Sequence, residues 1–216
     1  MVKGLLCDYR PEKMKCLERG LVMEGLRKVL VLITVIMMFL TVPAAADIPY
    51  ANRATLHSGY DAECSLTEAQ ISNLLNAAFS MPTGGNQRAL EFFVVTDRKI
   101  LSEMKGGNPY SQALDTAPCV IVITADTDSA FYEELLEMDA GIAAGAILLQ
   151  AADLSLSTCV LSIAPQQERI RSVRSALGMD ENLLPVLMIA VGYPSTDAVS
   201  GASVSNWEES RVNWNR

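Results

Sequence analysis

Histidine is almost missing from this chain. His57 is the only one in 216 residues. No Cys/His spacing surrounds it, so a metal centre is not expected. One histidine also leaves little room for a nucleophile–base triad. No GxSxG, no GxGxxG after a strand and no Walker loop occurs. Cysteine is sparse, with five residues and no CxxC. Cys119 and Cys159 lie in apolar, strand-like runs, which predicts buried free thiols rather than a disulfide scaffold. Positive charge is also short: 17 Lys and Arg face 25 Asp and Glu, a formal net charge of −8. That balance argues against a nucleic-acid backbone or an anionic membrane surface as partner. The paired carboxylates, Glu133 with Glu134 and Glu208 with Glu209, read as solvated neighbours. With side-chain acid–base chemistry so thinly supplied, a bound cofactor is the better carrier of a reaction.

The first 46 residues differ from the rest. Arg27-Lys28 precede an apolar run, Val29 to Val42, followed by Pro43-Ala44-Ala45-Ala46-Asp47. A basic start, a short apolar stretch and an Ala-x-Ala site are the parts of a secretory signal, with cleavage after Ala46. Met23 would then serve as the natural start. The run is shorter than the roughly 20 residues that span a bilayer. A retained N-terminal anchor is the alternative. Export to the periplasm or the outside, or attachment to a membrane, follows accordingly. The remaining segment, 47–216, reads as one domain with a net charge of −11.

Alternating apolar patterns organise that domain. Ser65 and Glu68 are spaced as a capping box, and a helix is expected to run to about Ser80, before Pro82. Phe92 to Thr96 reads as a strand and Arg98 to Met104 as a short helix. Ser111 to Asp115 reads as one helical turn. Pro118 to Thr124 is continuously apolar and β-branched, which predicts a strand buried on both faces. Phe131 to Asp153 reads as a long helix. Its Gly141 and Gly145 lie on one face, suited to a subunit interface. Thr158 to Ile163 is a strand, Gln166 to Leu177 a helix stopped by Gly178, and Pro185 to Val191 a last strand. Strands alternating with helices predict a mixed α/β layered fold. Trp207 and Trp214, on a polar tail, are expected to dock.

The most informative stretch is Met81-Pro82-Thr83-Gly84-Gly85-Asn86-Gln87-Arg88, followed by Ala89-Leu90-Glu91-Phe92-Phe93-Val94-Val95-Thr96-Asp97. A Gly-rich turn bearing Thr, Asn and Gln is wedged between two apolar elements. Glycines permit close backbone approach, and the amides offer donors and acceptors together. Such a turn suits a flat heteroaromatic edge.

This loop and strand resemble the flavin-binding loop of the nitroreductase family. Thr116-Ala117-Pro118-Cys119-Val120-Ile121-Val122-Ile123 resembles its second strand. Asp139-Ala140-Gly141 through Asp153-Leu154 resembles its central helix, and Gly192-Tyr193-Pro194 its closing turn. The resemblance spans about Ala51 to Pro194. It implies an α+β fold with a mostly antiparallel central sheet flanked by helices, a three-layer sandwich, forming a homodimer. It further implies FMN as cofactor and NAD(P)H as reductant. The acceptor would be a small molecule such as a nitroaromatic or a quinone.

By that resemblance Asn86 would bond the polar edge of the flavin, and Pro82 and Thr83 would shape the loop around it. Arg53 and Thr55 would stand near the phosphate, where His57 could replace a second arginine or simply be a surface histidine. Ser162 and Ile163 would offer backbone groups to the reactive face, and Arg211 a second phosphate contact. Two departures bear on phosphate binding: Leu56-His57-Ser58 stand where a further Arg is usual, and Ser195 to Ser210 carry no basic residue. Leu154-Ser155-Leu156-Ser157 also replaces a Leu-Gly-Leu-Gly run. A flavin-binding module without turnover, and a membrane-tethered interaction domain without cofactor, stay open as alternatives.

Overall fold

A computed structural model describes residues 54–196, 198, 201–202 and 208–215. Residues 1–53, including the expected leader and Arg53, lie outside the described residues, as does Trp207. In chain order the elements are β1 (Ala54–Thr55), α1 (Glu68–Phe79), β2 (Leu90–Val95), α2 (Arg98–Glu103), β3 (Cys119–Asp126), α3 (Leu136–Asp153), β4 (Ser157–Ser162), α4 (Gln167–Leu177), β5 (Leu183–Gly192) and β6 (Gly201–Ala202).

The strands form one sheet in the order β2-β3-β5-β4-β1-β6. The pairs β2/β3, β3/β5 and β5/β4 are antiparallel, β4/β1 is parallel, and β1/β6 is antiparallel. The mostly antiparallel sheet is thus as expected. The two-residue strands β1 and β6 were not expected, because two residues carry no readable alternation.

Period-two alternation sorts β3 and β5 between two cores. Cys119, Ile121, Ile123, Ile189 and Val191 face α1 and α3, together with Leu74, Ala140, Ala144 and Ile147. Val120, Val122, Met188 and Ala190 face α2 and α4, together with Leu101, Ile170 and Val173. Sheet in the middle and helices on both faces make the three layers. The predicted two-sided burial of β3 holds along Cys119 to Ala125. Residues 133–153 are apolar enough, by length and composition, to cross a bilayer. Here Leu136, Ala140, Ala143, Ile147 and Ala151 of α3 are instead spent on the core beside the sheet.

Two helix starts differ from expectation. The cap of α1 is Thr67, not Ser65: its Oγ1 accepts the Gln70 N–H at 3.2 Å, and Gln70 Oε1 accepts the Thr67 N–H at 3.0 Å. Both registers offer a capping box. The observed one also lets Gln70 Nε2 donate to the Tyr193 hydroxyl at 2.7 Å, a tertiary bond that local spacing cannot show. The long helix begins at Leu136 rather than Phe131. The Phe131 and Tyr132 N–H groups are taken by Gln87 Oε1 at 3.2 and 3.0 Å, so they stand outside the helical ladder. The stop at Gly178 is as expected: its φ of 60° is the left-handed conformation of a helix end.

Cys119 and Cys159 are buried and free, as predicted, while Cys64 is exposed and free. Burial pushes the Cys119 thiol from its ordinary value of 9.0 up to about 12, and Cys159 moves the same way for the same reason. Burial also raises the Tyr60 phenol, with Cys159 adding to the effect. Groups raised in the fold stay protonated while the unfolded chain loses protons, so they favour the fold below the unfolded value and lose that contribution above it. Folding stability is therefore expected to fall as pH rises from about 9 towards 12. Urea midpoints measured across that range check this; Cys119→Ala should flatten the slope, and an unchanged slope would contradict it.

Candidate active site

The Gly-rich bend is held from inside by one carboxylate. Asp139, in the first turn of α3, is 1% exposed. Its Oδ1 accepts the Gly84 N–H at 2.8 Å, and its Oδ2 accepts from Gln87 Nε2 at 2.8 Å. Gln87 is buried, and its Oε1 receives the two N–H groups of Phe131 and Tyr132. Bonds to an ionised acceptor are roughly twice as strong as neutral ones. The bend, the start of α3 and the 130–135 segment are thereby one bonded unit. Asp139 and Gln87 are the residues that sequence reasoning missed. Gln87 was grouped with Asn86 as an amide of the loop and given no role, and it faces the protein. The signal that could have found the pair is an acidic residue in the first turn of an otherwise apolar helix.

The glycines of the bend also serve the protein. A Cβ on Gly84 would lie 2.4 Å from Leu135 Cδ1, and one on Gly85 would lie 2.5 Å from Tyr132 Cε2. Close approach is required here, by Leu135 and Tyr132. Gly85, Asn86 and Arg88 have φ of 59°, 57° and 53°. For Asn86 and Arg88 this is an uncommon conformation of the kind held at functional loops. Asn86 is exposed, and its Oδ1 accepts from Arg88 Nε at 3.2 Å. Thr83 Oγ1 accepts the Arg88 N–H at 3.0 Å. Pro82 is exposed at the mouth of the bend.

Two cavities bear on the predicted residues. One, of about 330 Å³, is lined by Ala78, Phe79, Met81, Thr83, Arg88, Leu90 and Phe92. The other, of about 250 Å³, is lined by residues that include His57, Asn108, Tyr110, Ser162 and Arg169. Arg169 Nη1 donates to Ser162 O at 3.1 Å and to Ser162 Oγ at 3.0 Å, which places a cation the sequence reading had not singled out. His57 is exposed, and its Nδ1 lies 3.5 Å from Cys159 Sγ. Thr55 is half-buried on β1, next to β4. Ile163 is fully buried; its N–H donates to Val186 O at 3.0 Å and its carbonyl accepts from Gln166 at 3.1 Å. Arg211 is exposed and pairs with Glu208 at 3.5 Å.

One chain does not bring the two groups together. Phe92, Ile123, Leu187 and Ser162 lie at one level across β2, β3, β5 and β4. Three strand spacings of about 4.8 Å put Ser162 some 14 Å from the strand that follows the bend.

Comparison with known proteins fits this architecture. The family model described as "Nitroreductase family" matches residues 104–193. A protein of Archaeoglobus fulgidus, named an NADH dehydrogenase/NAD(P)H nitroreductase, is 31% identical over 133 residues, 61% of this chain and 76% of that protein. The chain belongs to the nitroreductase family. Among solved structures, a protein of Clostridium acetobutylicum named for an NADH oxidase activity superposes with a TM-score of 0.71 and 29% identity, covering 78% of this chain and 99% of the other. An FMN-dependent nitroreductase of Clostridium difficile gives 0.66 and 26%, covering 79% and 99%. In this nitroreductase-family chain, the match from 104 to 193 takes in β3, α3, β4, α4 and β5. The bend at 82–88 lies before it and is fastened to it by Asp139.

Proposed function

We propose that the protein is an NAD(P)H-dependent flavin oxidoreductase, using FMN and reducing small acceptors such as nitroaromatics or quinones. The observation that carries this is the divided site on a nitroreductase-family chain. A left-handed bend presents the Asn86 amide and the Thr83 hydroxyl, and a second cavity presents Ser162 beside Arg169 and His57. This donor set fits a flat ring with alternating carbonyl and N–H edges, and it supplies cations beside a phosphate even where the usual arginines are replaced. When bound, FMN would supply two-electron redox chemistry between the nicotinamide and the acceptor. The chain's part is to orient and to exclude water. Asn86 and Thr83 would hold the ring edge, Ser162 would line its face, and Arg53, Thr55, Arg169 and Arg211 would hold the phosphate; Ile163, buried with both backbone groups bonded within the chain, would only support Ser162.

We infer a homodimer in which the bend of one subunit meets the β4 end of its partner. The apolar groove of α1 and α3 supports it. Ala77, Met81, Ile142, Gly145, Ala146 and Leu149 line a shallow groove of about 530 Å³, and nothing lies within 4 Å of a Cβ built on Gly141 or Gly145. Gly145→Trp should fill that groove, leave the monomer fold intact, halve the mass measured by light scattering and remove bound flavin. A dimer that survives with full flavin content would place the interface elsewhere.

The protein as purified should be yellow and should bleach anaerobically on adding NADH or NADPH. Asn86→Ala should weaken FMN retention about tenfold, as expected for loss of an amide contact of ~1.4 kcal/mol. Colourless protein that takes up no added FMN would overturn the reading. We propose further that segment 1–46 is a secretory signal or a retained anchor, which would put this activity outside the cytoplasm or at a membrane. N-terminal sequencing of the mature chain decides between cleavage after Ala46 and retention.

A further inference from the structure

Of the residues lining the 330 Å³ cavity between α1 and β2, the flavin reading uses Thr83 alone and leaves Phe79, Leu90, Phe92 and Arg88 unassigned. Its floor is apolar: Ala78, Leu90 and Phe92, with Phe79 and Met81 at the rim. The Phe79 and Phe92 rings meet edge-on, 4.9 Å between centroids at 68°. Phe79 is nevertheless 67% exposed, so one ring face stays open to a stacking partner. A single cation, Arg88, stands on the wall of this pocket. Among the described residues no carboxylate lies within 4.0 Å of its guanidinium. The adjacent Glu91 points to the opposite side of the strand from Leu90 and Phe92. Of the Arg88 guanidinium only Nε is used, in the bond to Asn86, and the Arg88 backbone is pinned in the left-handed conformation by Thr83. In a chain with a net charge of −8, a cation fixed beside an open aromatic face and left without a counter-ion is a recognition element.

We propose that this cavity binds a small aromatic carboxylate, its ring stacked on Phe79 and Phe92 and its carboxylate taken by the Arg88 guanidinium. A volume of about 330 Å³ is at the lower end for small-molecule sites and suits one or two fused rings. Guanidinium and carboxylate match in a planar, two-bond geometry, which a neutral amide of the same shape cannot copy.

The test uses 2-naphthoate and its uncharged isostere 2-naphthamide, titrated by calorimetry into the whole purified protein. Naphthoate is expected to bind at least tenfold more tightly than naphthamide. Arg88→Gln should remove that preference, and Arg88→Lys, which keeps the charge but not the planar fork, should keep only part of it. Phe79→Ala should weaken both compounds together. Arg88 is exposed, so a thermal melt of each variant should match the parent. No naphthoate binding, equal binding of the two compounds, or a preference that survives Arg88→Gln would each overturn the proposal. A pocket closed by a second copy of the chain would appear as absent binding, and counts against it. Flavin content is read separately from absorbance. Colourless protein that still prefers naphthoate would sink the oxidoreductase reading and leave this one standing.

Discussion

Asp139→Ala is expected to lower the melting temperature by roughly 10 °C and to empty the flavin site. The side chain is 1% exposed and accepts two bonds of 2.8 Å, from the Gly84 N–H and from Gln87 Nε2. Removing the acceptor leaves the half-buried Gly84 N–H without its partner and leaves Gln87 Nε2 only a long 3.4 Å bond to Tyr132 O. Each such loss costs about 1–3 kcal/mol, so a total near 3–4 kcal/mol is expected. For a domain of this length, each kcal/mol shifts the midpoint by about 2–4 °C. An opposing term exists, because burying a carboxylate is itself costly and its removal relieves that. The donors decide the sign: Gln87 cannot turn to solvent while its Oε1 holds Phe131 and Tyr132. Asp139→Asn, which keeps one acceptor oxygen, should cost about half as much. Asp139→Leu combined with Gln87→Leu should cost less than the two single changes added, since their shared bond is then lost once, while the Gly84, Phe131 and Tyr132 N–H groups lose their acceptors in both cases. Differential scanning calorimetry checks all three. A shift under 2 °C for the alanine variant would show that the network does not hold the bend.

Gly192→Val should destabilise the fold by roughly 3 kcal/mol through overpacking. A Cβ at this buried position would sit 2.5 Å from Pro118 Cδ, 2.8 Å from Pro118 Cγ and 3.0 Å from Tyr60 Cδ1. A pyrrolidine ring has no rotamer to escape into, and Tyr60 is 3% exposed, with its hydroxyl donating to Ala190 O. The neighbours cannot yield, in contrast to Gly85, where the half-exposed Tyr132 ring can swing outward. Chemical denaturation with an unchanged slope and a lower midpoint is the expected reading. Wild-type stability would mean that the Pro118 and Tyr60 contacts relax freely.

These two residues also show what the sequence could and could not disclose. Gly192-Tyr193-Pro194 stood out as a motif, and its meaning is packing: Gly192 admits Pro118, and Tyr193 receives Gln70. The strands β3 and β5 were legible because two-sided burial enforces a continuous apolar run. The bend at 82–88 was legible as a special loop because its residue types are rare together. Its internal logic was not. Whether Gln87 or Asn86 turns outward depends on an acceptor 52 residues away in sequence, Asp139. Arg169 escaped notice because on α4 it reads as one more solvated charge; only the fold sets it against Ser162. Asn86 and Thr83 were named, and they stand at the bend, but the strand order separates them from Ser162. Periodicity along a chain carries no information about that order.

One consequence follows from Gln87. A single amide side chain clasps Phe131 and Tyr132 with its oxygen and Asp139 with its nitrogen. The turn before β2 and the aromatic corner before α3 therefore cannot loosen independently. They swing as one latch, and whatever unfastens either end releases both.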